Sequence, residues 1–162
     1  MALDEKDIGE ELCISATSRN VNNGNGAARR MEPGGRVPER CQEVVPTTTL
    51  DRLLLEVHSL RERPALMKMD IEGFETLALR GAPRLLGGSL KPCRIWFEHL
   101  ADVALRAGAA NGTEMFEILS KAGYKVFTKR GEQVYPPKYG PDGDYYASLE
   151  VQPQECVVSG ST

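Results

Sequence analysis

From residue 47 onward, apolar residues recur at the spacings of regular secondary structure. Positions i, i+3, i+4 and i+7 are apolar, which predicts a helix with one apolar face; they are Leu50, Leu53, Leu54 and Val57. Thr48 is expected to cap this helix, with Asp51 three residues later completing the capping pattern. The next apolar run, 66–71, lies between Pro64 and Gly73 and predicts a strand.

The alternation of helix and strand continues toward the C-terminus. A helical stripe follows Gly73 and should end near Gly81, because Pro83 cannot continue a helix. Further predictions are a strand at 94–98 that is buried on both faces, a helix between Asn111 and Gly123, and strands at 124–128 and 144–151. This order predicts an α/β fold with central parallel strands and a C-terminal antiparallel hairpin. A helical crossover joins strands 66–71 and 94–98, so they should be parallel.

Residues 1–44 lack such a pattern, since a short apolar stretch at 12–14 is followed by a run rich in Asn, Gly, Arg and Pro. We expect a loop or a poorly ordered remnant there. The Gly24-Asn25-Gly26 step resembles a nucleotide-binding turn, but Arg29 stands at the third glycine position, which favours a polar turn. The ordered domain is expected at 45–151, followed by a flexible tail at 152–162.

Composition narrows the possible classes of protein. The chain has 162 residues, enough for one domain, and its formal charge of −3 does not favour a nucleic acid partner. No stretch approaches the roughly 20 apolar residues of a membrane span, and the acidic N-terminus does not resemble a signal peptide. The cysteines are scattered at positions 13, 41, 93 and 156 without a C-x-x-C pair. We therefore interpret them as thiols and expect a cytoplasmic protein.

Polar side chains follow the two predicted parallel strands at the point where each strand ends. Asp70 and Glu72 terminate the first strand, and Glu98 and His99 terminate the second. Open α/β sheets bind ligands beyond the carboxyl ends of their strands. If the extended geometry continues through Glu72, the two carboxylates at 70 and 72 point to the same side. The sequence therefore predicts that these four groups line one edge of the sheet.

Each of these side chains also has a purely structural interpretation. Glu72 would stabilise the positive end of the following helix, and His99 would be an ordinary surface histidine. The remaining alternatives are a salt bridge or turn hydrogen bond for Asp70, and an ion pair of Glu98 with Lys68 or Arg94. The proximity of all four groups favours a functional role over these separate explanations.

Four stretches of the sequence, taken in order, resemble the FkbM-type methyltransferase family over roughly residues 45–130. They are Thr49-Leu50-Asp51, Asp70-Ile71-Glu72-Gly73-Phe74-Glu75, Leu79-Arg80-Gly81-Ala82 and Glu98-His99. The resemblance implies a Rossmann-like class I fold and S-adenosylmethionine-dependent methyl transfer. It also implies earlier strands that carry an acidic, glycine-containing loop for the cofactor and an acid for its ribose. Neither is found, so the chain resembles the C-terminal part of such a domain.

The resemblance gives each candidate residue an expected role. Asp70 and Glu72 would orient the acceptor, act as a base or hold a divalent cation such as Mg or Mn, while His99 would act as a base and Glu98 would orient it or the substrate. The acceptor would be an oxygen of a small molecule or glycan. The alternative is a truncated, non-catalytic α/β module without the cofactor-binding half. Another doubly wound nucleotide-binding domain is less favoured, because only Gly73 lies at the strand-to-helix turn.

The predicted strand beginning near Leu66 has no preceding strand in the sequence to pair with. An unpaired strand edge presents backbone donors and acceptors to other chains. We therefore expect possible self-association through this sheet edge.

Overall fold

The computed structural model describes residues 2–3, 11–16, 26–31, 35–39, 41–135, 142–150 and 156. Nine strands lie in these ranges: β1 Ala2–Leu3, β2 Glu11–Ala16, β3 Gly26–Arg30, β4 Glu43–Thr48, β5 Leu66–Met69, β6 Arg94–His99, β7 Tyr124–Thr128, β8 Gln133–Val134 and β9 Gly143–Leu149. The α-helices are α1 Glu75–Arg80, α2 Pro83–Gly87, α3 Ala101–Ala107 and α4 Glu114–Lys121, and a π-type helix spans Arg52–Val57.

The main sheet has five strands in the order β5-β6-β9-β7-β8. Strands β5 and β6 are parallel, with Leu66 paired to Arg94 and Met69 paired to Phe97, as the sequence predicts. The other pairs are antiparallel, and β9 lies between β6 and β7. The predicted antiparallel pairing of the C-terminal strands is confirmed, since β7 and β9 are antiparallel neighbours, and β9 also pairs with β6 of the parallel unit. The result is an α/β fold with few helices and a sheet that mixes parallel and antiparallel pairs.

The hydrophobic core lies on one face of this sheet. Along β6, Ile95, Phe97 and His99 are buried, whereas Arg94, Trp96 and Glu98 alternate with them on the other face. The expectation that this strand is buried on both faces was wrong. Helix side chains cover the buried face, including Leu79, Leu85, Phe116 and Leu119. Each such large apolar side chain contributes about 1.5–3 kcal/mol when fully buried.

The first predicted helix is present, but its capping differs from the prediction. Thr48 belongs to β4, and the hydroxyl of Thr49 accepts a hydrogen bond from the Arg52 amide at 3.1 Å. The His58 amide donates to the carbonyl of Leu53, five residues earlier, so the helix winds more widely than an α-helix. Val57, the last residue of the predicted apolar face, is 58% exposed.

Asp51 is buried and caps a different helix from the one that follows it in sequence. Its two carboxylate oxygens accept hydrogen bonds from the amides of Arg84 and Leu85, at 2.8 and 2.7 Å. These amides belong to the first turn of α2, where an α-helix has no internal partners for its N–H groups. Asp51 therefore fixes α2 to the start of the π-type helix.

Helices α1 and α4 confirm the predicted apolar stripes. Helix α1 ends before Gly81, and Met115 and Leu119 of α4 are buried. Helix α3 was not predicted, and of its seven residues only Ala104 is buried. In the structure, α3 lies directly after β6 and places Val103 against the loop that follows β5.

The region 1–44 contains strands, although the sequence predicted a loop or poorly ordered segment. Strand β2 pairs antiparallel with β3 and with β4, and β1 is parallel to β4, which makes a second sheet of four strands. Its Leu12 packs with Phe74 and Leu77. Glycine 24 and asparagine 25 of the possible nucleotide-binding turn lie outside the described residues, as does the predicted tail 152–162 apart from Cys156.

The cysteines form two disulfides, Cys13–Cys41 and Cys93–Cys156, which close separations of 28 and 63 residues. The interpretation of all four as thiols was wrong, because sequence spacing does not show which distant residues meet in space. Disulfides persist mainly in oxidising compartments, so this pairing weighs against the expected cytoplasmic location.

Among the described helices, none has both the length and the apolar character needed to cross a membrane.

The cap made by Asp51 gives a direct stability test. Replacing Asp51 by Ala should lower the free energy of unfolding by about 1–2 kcal/mol, because two amides of α2 lose their acceptor. Urea unfolding followed by circular dichroism measures the change. Glu56→Ala is the control, since Glu56 makes an exposed ion pair with Arg84 of the same helix and should change stability by less than about 0.5 kcal/mol. Equal losses in the two variants would contradict the capping role.

Candidate functional site

The carboxyl ends of β5 and β6 form an acidic edge, which we define as Asp70, Glu72, Glu98, Asp142 and Asp144. Glu98 is paired with Asp144 across β6 and β9. Burial raises the pKa of Glu98, and the charges of Asp70, Glu72, Asp144 and Asp142 raise it further. The structure therefore brings three of the four predicted site residues into electrostatic contact, together with two acids from the start of β9 that sequence analysis did not select.

The chain leaves the extended conformation before Glu72, contrary to the assumed geometry. Strand β5 ends at Met69, and Glu72 has a φ of 56°, a left-handed conformation that is uncommon for a non-glycine residue. Glu72 and Asp70 therefore do not converge through strand alternation. A tight turn brings both near Glu98 instead, and strained backbone of this kind is found disproportionately at functional sites.

Asp70 makes the salt bridge that was considered as its structural alternative. Its carboxylate lies 2.8 Å from the ammonium of Lys68, and the two side chains are 50% and 63% exposed. The hydrogen bond that Lys68 donates to Asp70, and then the Asp70 charge, raise the pKa of Lys68. Exposed pairs contribute little to stability, so this contact leaves the Asp70 carboxylate accessible for another role.

His99 lies on the opposite face of β6 from Glu98, because side chains alternate along a strand. Its ring contacts the rings of Phe116 and Tyr145, with centroids 4.7 and 6.1 Å away. Burial lowers the pKa of His99, although the charge of Asp142 opposes this shift. Within the described part of the chain, its Nδ1 is buried without a hydrogen-bond partner. The structure therefore separates the imidazole from the three carboxylates at 70, 72 and 98.

Glu75 is a buried carboxylate that sequence analysis did not assign to the site. It is 3% exposed, and its Oε1 accepts a hydrogen bond from the Ile71 amide at 2.9 Å. Burial raises the pKa of Glu75, hydrogen bonds from backbone amides of the turn lower it, and the charge of Glu98 raises it. Glu75 thus holds the turn that carries Asp70 and Glu72. Its position as the last acid of the DIEGFE motif is the sequence feature that could have identified Glu75 as part of the site.

Gly73 is required by both backbone conformation and space. Its φ is 95°, and a Cβ atom on it would lie 2.2 Å from Cγ1 of Val103. Helix α3 therefore packs directly on the turn, which is possible only where the turn has no side chain. Gly73 therefore allows helix α3 to pack closely against the turn that follows β5.

The divalent cation that the sequence analysis considered has no group of ligands among the described residues. Across the described ranges, no three His, Cys, Asp or Glu side chains are placed to hold a metal ion together.

Loss of the Glu75 charge should change how stability depends on pH. The folded protein holds this proton more tightly than the unfolded chain, because the folded pKa is above the ordinary value of 4.5. The contribution of this group to stability is therefore complete below about pH 4.5 and decreases as pH rises through the folded pKa. Glu75→Gln should reduce this decrease. Urea unfolding at several pH values measures it, with exposed Glu132→Gln as control, and an unchanged pH slope in Glu75→Gln would contradict the assignment.

Gly73→Ala should destabilise the protein by about 2 kcal/mol or more, because it adds both backbone strain and overlap with Val103. Gly108→Ala is a matched control, since Gly108 has a φ of 116° but open space around its Cβ position. A Val103→Ala background should restore part of the loss in Gly73→Ala and none in Gly108→Ala. Thermal unfolding measures the stability of the two glycine variants, each with and without Val103→Ala. Equal losses in Gly73→Ala and Gly108→Ala would rule out the packing argument.

The family of this chain follows from comparison with known proteins. Residues 8–126 match the profile described as Methyltransferase FkbM domain. The match begins earlier than the resemblance seen from residue 45, so it also includes β2, β3 and β4. None of the curated proteins and none of the solved structures compared with the chain matches it. The matched region covers most of the 162 residues, and the chain therefore belongs to the FkbM methyltransferase domain family.

Proposed function

We propose that the chain takes part in S-adenosylmethionine-dependent methyl transfer to an oxygen of a small molecule or glycan, on a Rossmann-like class I fold. Family membership supports methyl transfer in general. The observation that carries the finer proposal is the clustering of Glu98 with Asp70, Glu72 and Asp144 at the acidic edge, where burial and these charges raise the pKa of Glu98. A hydroxyl acceptor requires a proton acceptor, and a carboxylate with a raised pKa is a stronger base than an ordinary one.

The proposed roles follow from what the reaction requires. Methyl transfer is an in-line displacement, so the enzyme must align the acceptor oxygen and receive its proton. S-adenosylmethionine, when bound, supplies an electrophilic methyl group on a sulfonium sulfur. Asp70 and Glu72 are proposed to hydrogen-bond and orient the acceptor, and Glu98 to receive the proton. His99 is not assigned this role, because its ring is buried on the opposite face of β6 against Phe116 and Tyr145.

The position of β5 in the sheet bears on where the methyl donor would bind. Strand β5 is the outermost strand of the five-stranded sheet. The family resemblance implies that the donor binds to an acidic, glycine-containing loop after an earlier strand, and β5 has no such neighbour among the described strands. The acidic edge therefore supplies the acceptor side of the proposed reaction only.

The second candidate function is a non-catalytic α/β module that retains the family fold. The same observation about β5 favours it, since among the described strands β5 pairs only with β6. The two proposals differ in whether this chain binds the methyl donor.

Titration of the full chain with S-adenosylmethionine by calorimetry distinguishes the two functions. The enzyme proposal predicts saturable heat that is retained in Glu98→Gln, because Glu98 is assigned to the acceptor. Absence of binding at about millimolar ligand would support the non-catalytic module, since affinities weaker than this contribute less than about 4 kcal/mol.

If the chain transfers methyl groups, Glu98→Gln should lower kcat by about 100-fold or more, as expected for loss of a general base. Tritium transfer from labelled S-adenosylmethionine to a panel of sugars and alcohols measures the rate. In the unaltered protein the rate should rise with pH through the raised pKa of Glu98, and this rise should be absent in Glu98→Gln. Glu150→Gln, an exposed carboxylate paired with Lys125, is the control. Full activity of Glu98→Gln would contradict the base role of Glu98.

A further inference from the structure

The face of the main sheet opposite the core carries side chains in three rows across the strands. We call it the open face. Strand register aligns the rows: Arg94 lies beside Leu66 and Ser148, and Ser148 lies beside Lys125. Two residues further along β6, Trp96 aligns with Lys68, Tyr146 and Phe127. Two residues beyond that, Glu98 aligns with Asp144.

The first row is basic and the third is acidic. Arg94 is exposed and has no ion-pair partner among the residues that the structure describes, and Lys125 is paired only with Glu150. At the other end, Glu98 is surrounded by Asp70, Glu72 and Asp144, whose charges raise its pKa. Charge therefore changes sign along the strand direction over four residues of β6.

The middle row is an aromatic platform. The rings of Trp96 and Tyr146 are stacked at 6.4 Å between centroids with an interplanar angle of 13°, and those of Tyr146 and Phe127 at 5.1 Å and 14°. A hollow of about 710 Å³ lies over this platform and the basic row, and its lining includes Leu66, which is 60% exposed. Contiguous exposed apolar surface of this kind marks interaction sites.

The helices that the structure describes cover only the other face of the sheet. Phe116 of α4 contacts the rings of Phe97 and Tyr145, and Leu79 of α1 belongs to the same buried cluster. Both Phe97 and Tyr145 alternate with residues of the open face along their strands. Nothing among the described helices therefore fills the hollow.

We propose that two copies of this chain associate through their open faces. A two-fold axis that runs along the aromatic row reverses the strand direction in the second copy and superimposes the platforms. The basic row of each copy then lies over the acidic row of the other, so Arg94 faces Glu98 of the second copy. Such an isologous interface is self-complementary, and two sheets packed face to face lie about 10 Å apart, within reach of these side chains.

The pattern favours a second copy over a small ligand. A flat anionic ligand would use the platform and the basic row but would leave the acidic row uncompensated, whereas a second copy neutralises both rows. In the dimer, the Arg94 guanidinium of one copy would lower the pKa of Glu98 in the other and cover its carboxylate, so association and the proposed base role of Glu98 exclude each other. The interface does not depend on methyl transfer, so its test is independent of donor binding.

Trp96 is the single tryptophan of the chain, so its fluorescence reports directly on the open face. Sedimentation equilibrium of the full chain should show a monomer–dimer equilibrium, and dimer formation should shift Trp96 emission to shorter wavelength and reduce quenching by acrylamide. High salt should weaken association, because the proposed contacts are ionic. A monomer at every concentration would overturn the proposal.

A charge exchange tests the arrangement of the two copies. Arg94→Glu and Glu98→Arg should each weaken dimerisation at least tenfold, and the double variant should restore it to within a few-fold of the unaltered chain. Arg61→Glu, an exposed charge in the loop before β5, should have little effect. Circular dichroism verifies that each variant is folded, and the double variant provides a readout that a merely unfolded protein would not give.

Three other results would also overturn the proposal. Failure of the double variant to recover would exclude the Arg94–Glu98 contact. A dimer that tolerates Arg94→Glu but is lost in Met67→Pro would assign association to the unpaired edge of β5 instead. Quenching protection of Trp96 by inorganic phosphate or a nucleotide, without any change in mass, would assign the open face to a flat anionic ligand.

Discussion

The parallel pairing of β5 with β6 determines where the chemistry of this protein lies. Because Met69 is paired with Phe97, the residues that follow each strand emerge at one edge, and Asp70 lies near Glu98. The same register, combined with strand alternation, sends Glu98 to the open face and His99 into the core. One backbone pairing therefore creates the acidic edge and also removes the histidine from it.

The acidic edge is held in place by groups that are not themselves candidates for catalysis. Glu75 closes the turn after β5 by accepting a hydrogen bond from the Ile71 amide, and Gly73 allows Val103 of α3 to approach the same turn. Glu72 sits in a left-handed conformation within it. Carboxylates that repel one another and a strained backbone both oppose folding, so the structure around them must compensate, as is common at functional sites.

The described helices cover one face of the main sheet and leave the other uncovered, and the proposed association depends on this uncovered face. A sheet with an apolar face must bury it against another layer, and here the core face is covered by helices while Trp96, Tyr146 and Phe127 line the other. Among the described strands, β5 pairs only with β6. The chain described here places its unsatisfied surface on the open face and at the β5 edge, and these features motivate both the non-catalytic alternative and self-association.

The sequence by itself determined the local elements and the family. Hydrophobic spacing located β5, β6, β7, α1 and α4, because periodicity follows directly from which face of an element is buried. It could not determine contacts between residues distant along the chain. Tertiary structure alone decided that Asp51 caps α2, that the four cysteines form two disulfides, that β2 and β3 pair within the first forty-four residues, and that His99 faces Phe116. Each of these depends on how elements pack in space, which spacing along one chain does not encode.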